Sequence, residues 1–204
     1  MADSMLDNTK VGIGKGREGG YAIICPKGTD PTSLIDMTKT LADLVTSVTG
    51  AASLGYISED GVTFKTDTDS DDVTEWGGSV VASPLTSYSE SASVTFLETR
   101  ESVLKAVYGD DNVTTEGGVT TIRHNKNFNA PHVYVFDCVV SDTQVLRSVI
   151  PYGVITERDD LQYNNSDLVG YAPTIKCVAS SAFDGDGYRQ YLYDTTTGET
   201  VAVA

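Results

Sequence analysis

Between residues 89 and 98 the chain alternates strictly, with Ala92, Val94 and Phe96 on one side and Ser91, Ser93 and Thr95 on the other. A two-residue period is the period of a β-strand, and here it makes one dry face and one hydroxyl face. Such a strand belongs to a sheet with a core on one side and water on the other. The rest of the chain supports this. Val, Thr, Ser, Tyr and Gly are abundant, and long Leu/Ala/Glu/Lys tracts are absent, which favours strands and turns. Strand-like runs are expected at 21–25, 54–58, 62–68, 80–87, 119–123, 133–140, 145–157, 174–183, 188–193 and 200–203. Asp60-Gly61 is a tight-turn pair, so 54–58 and 62–68 read as a hairpin. Pro84 interrupts 80–87 and suits an edge or a bend.

The best helix spans 100–108. Thr99 is its expected N-cap, Glu101 lies in its first turn, Gly109 is placed to end it, and Val103, Leu104 and Val107 form its apolar stripe. Many short strands with this one helix predict a mainly β, β-rich α+β domain: a sandwich or barrel with one flanking α-helix near 100–108. Residues 1–20 are polar and glycine-rich and read as a flexible arm, leaving 21–204 as a single β domain. Within it, 26–53 reads as a long loop or insertion. Leu34, Met37, Leu41, Leu44, Val45 and Val48 do recur at near-helical spacing, but the threonines and Gly50 weaken a helical reading.

The net charge is −15, from 29 acidic and 14 basic residues, which disfavours ordinary DNA or RNA binding. Charge concentrates at Glu59, Asp60, Asp67, Asp69, Asp71, Asp72, Glu75 and Glu90, a stretch whose single base is Lys65. Cys25, Cys138 and Cys177 form an odd set without CxxC spacing. The first ten residues carry no hydrophobic signal region, and no apolar run reaches the ~20 residues of a membrane span. A reducing cytoplasm is the expected place of synthesis, with no membrane insertion.

No motif for catalysis or cofactor binding survives inspection. Gly14, Gly16 and Gly19 match GxGxxG by spacing, but they lead into a strand, whereas a dinucleotide site needs a helix there. Asp67, Asp69 and Asp71 imitate the start of a calcium loop, yet Asp72 stands where glycine is needed and Gly78 where glutamate is needed. His124 and His132 accompany no nucleophile motif and make a poor zinc set with unpatterned cysteines. No active site, metal or cofactor is expected. Trp76, flanked by Glu75 and two glycines, is either a core anchor or an interface anchor. Together with Asp67, Asp69, Asp71 and Asp72 it is the candidate interface.

These residues also carry a family pattern. Residues 54–62 (LGYISEDGV), Trp76-Gly77-Gly78, 103–111 (VLKAVYGDD), 151–156 (PYGVIT) and 184–187 (DGDG) together resemble the major tail proteins of long non-contractile-tailed bacteriophages, the siphophage type infecting actinobacteria. The likeness covers about residues 20–200. It implies a tail-tube fold whose subunits form stacked rings, usually of six, around a lumen that passes DNA as non-specific cargo. It also implies tape-measure and tail-terminator proteins as partners, with assembly in the bacterial cytoplasm into the virion tail. No appended immunoglobulin-like domain is expected after the last strand. In that setting Ser89, Ser91, Ser93 and Thr95 form the candidate lumen strand. The rival reading is a β-rich adhesin or carbohydrate-binding module, which should carry a clustered aromatic platform, whereas Tyr152, Tyr163 and Tyr188 are scattered.

Overall fold

The computed structural model describes residues 11–203. Its strands in chain order are β1 (Lys15–Gly16), β2 (Ala22–Cys25), β3 (Ala52–Ser53), β4 (Ile57–Ser70), β5 (Val73–Thr74), β6 (Val80–Ala82) and β7 (Leu85–Phe96), followed by β8 (Val113–Glu116), β9 (Val119–Ile122), β10 (His132–Ser141), β11 (Gln144–Arg158), β12 (Pro173–Cys177), β13 (Arg189–Asp194) and β14 (Glu199–Val203). Two helices interrupt them, α1 (Leu41–Ser47) and α2 (Glu101–Tyr108).

Ten strands share one antiparallel sheet whose main path is β3-β2-β10-β11-β12-β7-β4. The long β11 organises it. Its first half pairs with β10 on one edge and β13 on the other, and its second half pairs with β12. The sheet stays open among the described residues; β3 and β4 end the main path and do not pair with each other.

Alternation along the central strands sends side chains to two cores. Ala22 and Ile24, Tyr134 and Phe136, and Ile150 and Ile155 join Ala92, Val94 and Phe96 under α2. Ile23 and Cys25, Val133 and Val135, and Val145 and Val149 point the other way, under α1. Helix α2 presents Val103, Leu104 and Val107 to the first core, as its pattern requires. Gly109 ends it at a positive φ of 92°.

The expectation of a single helix is corrected. Within 26–53 a 3-10 turn (Pro31–Leu34) precedes α1, and Leu34, Met37, Leu41 and Leu44 are buried. A capping box starts α1: Thr40 Oγ1 accepts from the Asp43 backbone N–H, and the Asp43 carboxylate accepts from the Thr40 N–H. The N-cap of α2 is Arg100, not Thr99, whose hydroxyl lies 3.1 Å from that of Tyr171.

The hairpin at Asp60-Gly61 is also corrected. Residues 57–70 form one strand paired with β7, and the register shifts between Ile57 and Val62. Gly61 at φ 70° supplies a bulge within the strand where the sequence suggests a reversal. The run expected over 174–183 ends as a strand at Cys177, because a 3-10 turn at Ser181–Phe183 follows.

Of the segment read as an arm, residues 1–10 lie outside the described residues. Lys15 and Gly16 pair with Val139 and Cys138 of β10. Arg17 reaches the buried Asp137 at 3.0 Å.

Candidate functional site: a projecting ribbon and a hydroxyl face

Strand β12 stops at Cys177, opposite Glu90 of β7. Beyond that level β4 and β7 continue as a pair, from Thr66–Glu90 to Ser70–Leu85. The result is a two-stranded ribbon standing away from the main body. One polar side carries a cross-strand bond, Ser87 Oγ donating to Asp69 at 2.8 Å, and an ion pair along β4 itself, Lys65 with Asp67 at 2.8 Å. Pro84 ends this pairing, as a residue without an N–H must. The chain then re-pairs as the short β5–β6 tip, with Asp71 N–H donating to Pro84 O and Ser83 Oγ to Asp72.

Glu75 shapes the turn at the tip. Its carboxylate accepts from the backbone N–H groups of Gly77 at 2.6 Å and Ser79 at 3.1 Å, which hold its pKa below the usual range. Gly78 takes a positive φ of 87°, open to glycine without strain. This turn presents Trp76 with 104% relative exposure, so the side chain is no core anchor within one chain. Val73, Val80, Val81, Leu85 and Tyr88 are exposed on the same ribbon. A lone two-stranded ribbon is marginal in water, and six exposed apolar side chains on one make a surface suited to a partner. At its base Tyr88 Oη donates to Glu90 at 2.6 Å, which pushes the phenol up to about 12.

The structure separates the candidate acids. Asp67 and Asp69 lie along the ribbon's side facing Lys65 and Ser87, while Asp71 and Asp72 sit at the step into the tip. Among the described residues no three acidic, histidine or cysteine side chains converge as metal ligands.

The second feature is the sheet face behind the first core. Ala92, Val94 and Phe96 are buried, which turns Ser91, Ser93 and Thr95 to the opposite side. Register extends that face sideways: Ser93 pairs with Thr63 and Thr174, and Ser91 with Lys65 and Lys176. Ser93 and Thr174 hydroxyls meet at 3.2 Å. Ser93 is exposed; Ser89, Ser91 and Thr95 are half-buried. Helix α1 covers this side of the sheet only over β2, β10 and β11, leaving the β12-β7-β4 part uncovered by a helix.

Sequence reasoning missed the polar centre that holds the α1 side together. Arg147 is buried on β11, and all five of its N–H donors are used: two on Asp137, and one each on the carbonyls of Leu34, Asp36 and Lys39. The signal was available. Asp137 and Arg147 interrupt apolar strands at equal distances from Asp142 in the connecting turn.

His132 is also structural, with Nδ1 3.1 Å from Ala130 O and Nε2 3.0 Å from Asp110. No helix among the described residues is long and apolar enough to cross a membrane.

These parts describe a β-rich structural subunit whose most accessible elements are a ribbon and a polar sheet face. The chain belongs to the phage tail tube protein family, whose model matches residues 19–185. It is thus a structural bacteriophage protein of the virion tail. No curated protein sequence matches it. A solved structure described as the tail of an empty GTA particle, refined with C6 symmetry, covers 79% of this chain and 93% of that chain. Identity there is 12% and the TM-score is 0.37, too distant a likeness to carry an argument.

Proposed function

We propose that this chain is the repeating, non-enzymatic subunit of a siphophage-type tail tube, assembling with itself into rings of six that stack around a lumen for DNA. Family membership supplies the tail-tube role, and the ribbon carries the assembly reading. Evolved surfaces seldom leave a tryptophan and five other large apolar side chains exposed on a two-stranded projection unless another protein covers them. Trp76 and the neighbouring Asp67, Asp69, Asp71 and Asp72 then belong to a contact between subunits.

The hydroxyl face supports DNA passage. Ser89, Ser91, Ser93 and Thr95 offer small neutral groups; of the two lysines flanking Ser91, Lys65 is paired with Asp67 and Lys176 on β12 is exposed. A phosphate backbone passing such a wall meets few unpaired cations, and the overall charge of −15 repels it. Tape-measure and tail-terminator proteins complete the proposed partners, with assembly in the cytoplasm of an actinobacterial host.

Negative-stain microscopy of the concentrated subunit tests the reading. Hollow tubes or stacked rings are the expected outcome. Discrete monomers that bind glycans would instead favour an adhesin.

A further inference from the structure

A cavity of about 540 Å³ opens where the sheet fails to close, between residues 14–16 on one rim and the bulged start of β4, residues 58–62, on the other. Phe64, Phe136 and Leu146 line it, with Cys138 beside them. Ser58 contributes a buried hydroxyl that has no hydrogen-bond partner among the described residues. A buried polar atom left unpaired is costly and calls for a donor or acceptor from elsewhere.

The ribbon carries the complementary group. Trp76 is the only tryptophan of the chain, its ring fully exposed and its indole N–H able only to donate. It cannot serve its own cavity. From Val62 to Ser70 the paired strand already runs roughly 26 Å, and Trp76 stands beyond its end.

We propose that this cavity receives the Trp76 tip of a second copy of the chain, with the indole packed on the half-buried Phe64 above Phe136 and its N–H donated to Ser58 Oγ once that hydroxyl turns toward the opening. The contact rests on the tail-tube reading above and specifies which two surfaces of the subunit meet. Aromatic lining suits an indole, whose flat ring favours edge or offset packing on other rings. The rim charges are mixed, Lys15 on one side and Glu59 and Asp60 on the other. Glu75 beside the tryptophan arrives with its carboxylate already bonded to its own turn. Donor tip and receiving cavity are different surfaces, so the contact is heterologous. Each copy therefore offers a free tip and a free cavity to the next, and the chain of contacts propagates.

The single tryptophan reports directly. Its emission should be that of a water-exposed indole in the monomer and shift to the blue on assembly. Trp76→Cys should form a disulfide between copies with native Cys138 under mild oxidation, and Cys138→Ser should abolish it. Ser58→Ala, which removes a hydroxyl unused in the monomer, should leave the monomer's Tm unchanged. It should raise the concentration needed for assembly roughly five- to tenfold, the worth of one hydrogen bond. Should Trp76→Cys fail to assemble, the emission shift and Ser58→Ala still decide the matter. Tubes whose tryptophan emission stays water-like, or crosslinks that survive Cys138→Ser, overturn the cavity and leave the tail-tube reading standing. A chain that remains monomeric at every concentration overturns both.

Discussion

Asp137 and Arg147 stand directly opposite each other on β10 and β11, both with no solvent exposure, joined by hydrogen bonds of 2.6 and 2.7 Å. The pair does more than neutralise itself. The remaining guanidinium donors hold the carbonyls of Leu34, Asp36 and Lys39, the stretch that leads into α1. Arg17 adds a second cation to the same carboxylate. One ion pair therefore ties two sequence-distant segments, the one at Arg17 and the one over residues 34–39, to the sheet.

Arg147→Met should accordingly destabilise the chain by about 3–5 kcal/mol, because it leaves a buried carboxylate with one poorer partner and the carbonyls of Leu34 and Asp36 without their side-chain donor. Combining it with Asp137→Leu should recover much of that loss, since two apolar side chains need no partners. Urea denaturation midpoints measure both. A loss below about 1 kcal/mol for the single change would mean that the segment before α1 is held by apolar packing alone.

How far the fold was legible follows from these particulars. Strict alternation gave away the two faces of β7, because a half-buried strand has to alternate. The pairing of β4 is not legible locally because Asp60-Gly61 suits a turn and a bulge equally; only the long-range partner, β7, decides between them. Threonines argue against α1 in the sequence, yet Thr40 is there as a cap, and caps are visible only once the helix start is known. Trp76 left core and interface open from sequence, since what distinguishes them is how far the ribbon projects.

Exposure of Trp76 separates folding from assembly. Trp76→Ala should leave the monomer's stability within about 0.5 kcal/mol, as expected for a surface side chain without core contacts. The same change should raise the concentration needed for tube formation by more than about tenfold without preventing it, scored by light scattering and microscopy. A clear drop in monomer stability would show that the tip packs on its own chain.

Calcium should do little to this protein. Asp67 is occupied by Lys65, Asp69 by Ser87 and Asp72 by Ser83, so the acids are spread along the ribbon and do not converge on one point. Adding millimolar calcium, or a chelator, should leave the melting temperature almost unchanged. A rise of several degrees, of the kind mass action gives for a tight site, would contradict this geometry.

The hydroxyl face yields the most demanding prediction. Ser91 and Ser93 lie on the side of β7 opposite Ala92 and Val94, flanked in register by Lys65 and Thr63 on β4 and by Lys176 and Thr174 on β12. Lysines at both serine positions would stand clear of the first core, so folding and assembly should survive the double change Ser91→Lys with Ser93→Lys. If this face lines the lumen, each added cation can pair with passing phosphates, and those contacts must break for the DNA to advance. Phage carrying the double change should then show normal tails by microscopy but slower DNA ejection, with the delay shrinking as salt is raised. Salt dependence is the discriminating feature, because a mechanical defect in the tube would not respond to screening. An unchanged ejection rate in phage with normal tails would place this face on the outer wall.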